Sequence, residues 1–220
     1  MNKPKGYDDV QLSAVLNAGG HKCVIRSVEE TKSKTGKEML IIEFDTSPED
    51  TQPGFYMNRY LADQKNPARE AKWYGRQYLV TEGEYGTENL ARFNTSVAHS
   101  NDEETLVKHK WKVIERNAEG KAISFDPPWG KNFGAGFTDL KVGIVFRIEE
   151  YNADNGELRT AVKPFRFCDY NKALEQAVPK RKEVQPQTQQ PSLMEQFQNQ
   201  AQEEFMQIPD GLNDEGLPFH

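Results

Sequence analysis

The feature that most restricts the fold is a hairpin signal between residues 142 and 168. From Val142 to Tyr151, the apolar residues Ile144, Phe146 and Ile148 fall on alternate positions, the period of a strand with one buried face. The run Asn152-Ala153-Asp154-Asn155-Gly156 comes next, and these residue types tolerate the left-handed backbone that tight turns require. Leu158–Cys168 then reads as the return strand.

A second hairpin is written near the start. After the break at Gly19-Gly20, residues 21–29 carry the β-branched Val24, Ile25 and Val28. Residues 31–37 form a lysine-rich turn. Residues 39–46 then alternate, with Leu40, Ile42 and Phe44 on one side and Ile41, Glu43 and Asp45 on the other. Between the hairpins, the aromatic segment Phe55–Leu61 predicts a third strand. Asn66-Pro67 predicts the start of a helix carrying Trp73, Tyr74, Tyr78 and Leu79. Thr87 predicts the N-cap of a second helix, with Leu90, Phe93 and Val97 on its packed face. Trp111–Glu115 predicts a further strand, Phe125–Gly136 a loop and Tyr170–Val178 a short closing helix. The expected fold is β-rich α+β: an OB-fold-like barrel or a curved antiparallel sheet with inserted helices.

Composition divides this domain from the C-terminal stretch of the chain. The chain has 220 residues, a net charge of -6 and 36% hydrophobic residues. Residues 179–220 hold three basic residues (Lys180, Arg181, Lys182) and seven acidic ones (Glu183, Glu195, Glu203, Glu204, Asp210, Asp214, Glu215). The body is therefore close to neutral and has room for a basic groove. The division expected is a lead-in over 1–18, a domain over 19–178 and a disordered linker with an acidic interaction tail over 179–220. No apolar run reaches the ~20 residues of a membrane span, and no signal peptide is visible at the N-terminus. Cys23 and Cys168 stand far apart, outside any metal-like spacing, and read as reduced thiols in a cytoplasmic protein.

Basic and aromatic residues interleave in several places, the pattern of a surface that holds phosphates and stacks bases. Tyr56, Arg59 and Tyr60 form one group. Trp73, Tyr74, Arg76 and Tyr78 form a second, from which Trp73 and Arg76 are the candidate contacts. Trp129, Lys131 and Phe133 form a third, on a glycine-rich loop. Lys32, Lys34 and Lys37 lie in the first hairpin turn, and Lys163 and Arg166 flank Phe165 on the last strand. Phe146, Phe165 and Phe167 read as core residues. No phosphate-binding glycine loop or nucleophile elbow occurs. His21, His99 and His109 are scattered, and neighbouring acids such as Glu149-Glu150 face opposite sides of a strand. No catalytic residue, metal or cofactor is expected.

Two resemblances extend this reading. The end of the chain, with Asp214, Glu215, Leu217, Pro218 and Phe219 after a Gln/Pro-rich linker, resembles the tails of bacterial single-stranded DNA-binding proteins. Those tails recruit replication and repair enzymes. Residues 19–168 resemble a family of small phage-encoded proteins, known mainly from phages of Gram-positive bacteria and often encoded among replication and recombination functions. The match runs through Gly19-Gly20, Met39–Asp45, Gly54-Phe55-Tyr56, Ala98–Asn101, Leu140–Tyr151, Gly156, Arg159-Thr160 and Lys163-Pro164. Together these imply a single-stranded DNA-binding protein of an infected bacterial host's cytoplasm. It would coat DNA without sequence preference and recruit phage or host replication and recombination proteins through its tail. A homo-oligomer is allowed. The alternatives are a non-enzymatic phage adaptor or assembly protein without DNA binding and, more distantly, a metal-dependent nuclease.

Overall fold

A computed structural model of the chain describes residues 15–153 and 155–184. In chain order its elements begin with β1 (Gly19–Lys32), β2 (Glu38–Thr46), α1 (Phe55–Gln64) and β3 (Arg76–Val80). Next come α2 (Glu84–Ser100), α3 (Glu103–Lys108), β4 (Lys112–Arg116) and β5 (Ala122–Asp126). The last are β6 (Lys141–Asn152), β7 (Leu158–Cys168) and a 3₁₀ turn over Tyr170–Glu175. Five strands form one antiparallel sheet in the order β3-β2-β1-β6-β7, and β4 and β5 pair as a separate ribbon. The fold is thus α+β around a curved antiparallel sheet. Among the described residues no strand pairing joins its edge strands β3 and β7, so the sheet stays open there.

Both hairpins form where alternation and turn residues put them, and six residues join them. Gly19–Val24 pairs with Lys141–Phe146. Across that join Phe44 meets Phe146 edge-on, with ring centroids 5.9 Å apart. Tyr56 of α1 packs on Phe44, and Phe93 of α2 on Phe137 and Phe167. Val142–Phe146 are all buried, so both faces of β6 are covered. The turn at Tyr170–Glu175 packs on the second face. The ammonium groups of Lys22 and Lys141 lie over the Tyr170 ring, and the Tyr170 hydroxyl is 2.6 Å from Ser47 Oγ.

The middle of the chain departs from local expectation. Phe55–Leu61 is helical, not a strand. The Asp45 carboxylate accepts the N–H groups of Tyr56 and Met57, and Thr46 Oγ1 accepts that of Phe55, so the preceding strand caps α1. No helix begins at Asn66-Pro67. Residues 65–75 form a loop in which the Trp73 indole N–H donates to the Gly75 carbonyl. Tyr78 and Leu79 belong to β3, where Gln77 and Leu79 pair with Ile42 and Leu40 of β2. Helix α2 starts three residues before Thr87, whose hydroxyl donates to the Gly83 carbonyl from inside the first turn. Part of the expected loop at 125–136 is strand β5.

The boundaries of the domain also shift. Leu16, placed in the lead-in, is buried in the core. Lys182, placed in the linker, bridges β6 in parallel: its N–H donates to Ile148 O, and its carbonyl accepts from Glu150 N–H. It occupies the side of β6 that β1 leaves open beyond Gly19.

The approach of Tyr170–Glu175 to the sheet is set by Gly20. A Cβ there would stand 1.8 Å from the Ala173 carbonyl oxygen, a backbone atom with no freedom to turn away. Gly20→Ala is expected to lower stability by about 1–3 kcal/mol, read as a fall in the urea midpoint; an unchanged midpoint would show that the turn docks loosely.

Candidate nucleic-acid interface

A cleft of about 1250 Å³ opens on the domain. One wall is α1 and the loop after it, with Arg59 and Tyr74. Another is edge strand β3, with Arg76, Gln77 and Tyr78. The opposite wall is the far half of the β6–β7 hairpin, with Tyr151 and Lys163. Both sheet edges therefore face one gap. The open sheet creates the cleft.

The cleft gathers part of the predicted set. Arg59 lies with its guanidinium carbon 4.0 Å from the Tyr74 ring centroid. Arg76 pairs with Glu43 at 2.7 Å, and Lys163 reaches Glu149 at 3.6 Å. Tyr60 and Trp73 sit behind this wall, 6.0 Å apart, with Arg26 stacked over the Trp73 indole at 3.9 Å. Tyr56 lines the floor but is 6% exposed, so it supports the wall and is no stacking platform. Sequence reasoning left Tyr78 and Tyr151 out of the contact set. Tyr78 is 58% exposed, on the outward side of an edge strand. The side-chain oxygen of Gln77 is buried without a hydrogen-bond partner among the described residues.

Other predicted residues lie elsewhere. Lys32, Lys34 and Lys37 sit at the tip of the first hairpin, and Lys32 is paired with Glu38 at 2.8 Å. Arg166 is held by Gln176. Trp129 is 55% exposed, whereas Phe133, predicted as a contact, is 3% exposed and lies in the core, 4.9 Å from Phe137. Trp129 stacks on Phe133 at 5.3 Å and 17°, and its indole N–H donates to Asp126. Phe165, read as core, is exposed and lies under Arg147. The tail residues Asp214, Glu215, Leu217, Pro218 and Phe219 lie outside the described residues.

The end wall of the cleft depends on a buried pair that local spacing conceals. His21 and Asp50 lie 29 residues apart, and Nδ1 of the ring is 2.9 Å from Asp50 Oδ1. The other ring nitrogen is 3.0 Å from the Asn17 carbonyl. Asp50 also accepts the N–H groups of Lys22 and Gln52. Gln52 in turn donates to the Val15 carbonyl, and Val15, Leu16, Gln52 and Pro53 line the cleft. The pair thus pins that wall. No nucleophile joins it among the contacts of the described residues. Burial raises the thiols of both Cys23 and Cys168, that of Cys168 to about 11, which keeps them protonated near neutral pH. Among the described residues, no three His, Cys, Asp or Glu side chains gather as a metal site, and no helix is long and apolar enough to cross a membrane. Neither a protein-family model nor a curated protein sequence matches the chain significantly.

Asp50 gives a pH signature. Burial works to raise its carboxyl, but the His21 ring and the Gln52 and Lys22 amides outweigh it and hold the group below the usual range. A carboxyl depressed on folding adds stability above its unfolded value, near pH 4, and loses it as pH falls through the lower folded value. Asp50→Asn should therefore cost roughly 1–3 kcal/mol at pH 7. The gap to wild type in urea midpoint should narrow as the pH is taken below 4. A gap that is the same at both ends would remove the charge from this account.

Proposed function

We propose that this protein binds single-stranded DNA along the cleft and acts without catalysis, as a coating protein in phage DNA replication or recombination. The observation that carries the reading is the set of exposed rings beside cations in one concave surface: Tyr74, Tyr78 and Tyr151 with Arg59, Arg76 and Lys163. Stacking on tyrosine accepts any base and contributes about 1–3 kcal/mol per base, while the cations meet phosphates.

The open five-stranded sheet is also compatible with the partly open OB barrel, whose second and third strands and two hairpin loops contact nucleic acid. On that analogy β2, β3 and the turn with Lys34 and Lys37 lie on the binding side. The likeness to small phage-encoded proteins supports a role among replication or recombination functions in the host cytoplasm. The tail, through Asp214, Glu215, Leu217, Pro218 and Phe219, would recruit phage or host enzymes of those pathways. The ion pairs of Arg69, Arg76 and Lys163 favour the second reading, an adaptor without DNA binding, since a neutralised cation attracts phosphate less.

Anisotropy with labelled oligo-dT at low and high salt separates the two. Binding should weaken steeply with salt. Tyr78→Ala should weaken it roughly tenfold, and Arg59→Gln should lower the log K against log[salt] slope by about 0.7. An absence of binding at low salt would leave the adaptor reading.

A further inference from the structure

We propose a second polynucleotide contact on this protein, separate from the cleft: the indole of Trp129 with the lysines of the β4–β5 ribbon. It rests on the DNA-binding reading above and adds a surface to it. The short segment Lys108-His109-Lys110-Trp111-Lys112 leads into β4, and Lys121 precedes β5. The middle of this run looks inward, where Trp111 is 2% exposed and its indole N–H donates to the Gly136 carbonyl. Its lysines do not. Among the described residues no carboxylate lies within ion-pair distance of Lys108, Lys110, Lys112, Lys121 or Lys131. On the ribbon, Arg116 is the basic residue that is paired, with Glu103. In the cleft the balance is reversed, with Arg76 and Lys163 both held by glutamates. Polyanion affinity comes from cations that exchange small counterions for phosphates, so a free ammonium contributes where a paired one contributes little.

The indole, with Lys112 and Lys131 nearest to it, is held ready to receive a base. One face rests on Phe133, nearly parallel at 17°, and Phe133 is itself locked in the core. The indole N–H is tied to Asp126 at 2.8 Å, and Asp126 pairs with Lys112 across the ribbon. Register thus sets Lys112 next to the indole's anchor, and Lys131 comes two residues after Trp129. The loop as a whole is fixed on the sheet: a Cβ on Gly134 would stand 2.2 Å from the Val28 carbonyl oxygen. No ring or cation of the described residues covers the outer face of Trp129. A platform held by a stack and a hydrogen bond loses little freedom when a base settles on it. An acidic protein surface would meet the lysines and the exposed Ile114 and Ile123 and could bury the indole too, but a ring clamped face-on against a second ring with unpaired lysines near it is the arrangement that stacks a base and holds its phosphates. The occupant favoured is a single strand, with one base on Trp129 and its phosphates along the ribbon.

Tryptophan fluorescence of the full chain resolves the two surfaces. Trp111 is enclosed and Trp73 lies under Arg26, so quenching on addition of a 30-nucleotide oligo-dT should come mainly from Trp129. Trp129→Phe should abolish most of that quenching and weaken binding by anisotropy several-fold. The double variant Lys112→Gln, Lys121→Gln should lower the salt slope by about 1.4. Arg59→Gln in the cleft should weaken binding yet keep the quenching. Undiminished quenching in Trp129→Phe, with the double-lysine variant titrating as wild type while the cleft variants bind weakly, would overturn the second contact and leave the cleft. An acidic protein as true occupant gives that same result. No binding by the wild type would overturn both.

Discussion

Six residues of β1 hold the molecule together. Gly19–Val24 pairs with Lys141–Phe146, and through it two hairpins separated by nearly a hundred residues become one sheet. The ladder lies where the sheet is covered on both sides, so its hydrogen bonds are shielded from water. On one side Phe44, Phe146 and His21 meet, and on the other the Tyr170 turn closes down because Gly20 carries no side chain. Lost pairing there would separate the two walls of the cleft, which belong to different hairpins.

The cleft arises from what the sheet leaves undone. With β3 and β7 unpaired to one another, the gap between the edges becomes a cleft, and its rim is built from the outward positions of edge strands. Tyr78 is exposed because it stands on the outward side of edge strand β3, and Tyr151 because it lies near the end of β6, past the stretch that pairs with β1, whereas Phe44 and Phe146 lie in the covered part of the sheet. The edges themselves are guarded. β3 has only five residues, and β7 has Pro164 near its middle and charged residues on both sides of it, features that discourage pairing with another sheet.

How much of this is legible in the sequence depends on how local each signal is. The two hairpins are legible because alternation and turn residues are properties of a few adjacent positions. Helix α1 is not, since the groups that cap it, Asp45 and Thr46, belong to the strand before it and act through space. Strand β3 is too short for its alternation to outweigh the aromatic run ahead of it. Among the rings, Trp129 is legible because Pro-Pro and Gly-Lys flank it, a setting that resists burial. Tyr56 and Phe133 have the same look and are buried, because helix placement and loop docking decide their fate. The lysines at 108–112 are visible as letters, but whether a lysine is paired is a fact of the fold.

The contrast between paired and free cations governs how a chain with a net charge of -6 could hold a polyanion at all. Summed charge says little, since the Debye length at physiological salt is about 8 Å and a phosphate responds to the groups nearest it. What matters is which cations have already been neutralised by their neighbours. Arg76, Lys163, Arg69 and Lys32 are each within 4 Å of a carboxylate; among the described residues, Arg59 and the ribbon lysines are not. Rings stiffen the contrast, since Arg59 is held against Tyr74 and Lys131 lies two residues from a fixed indole. On the DNA-binding proposal, the cations left to meet phosphates would be Arg59 beside the tyrosines of the cleft and the lysines of the ribbon near Trp129. Carboxylates farther away than the screening length subtract little from either.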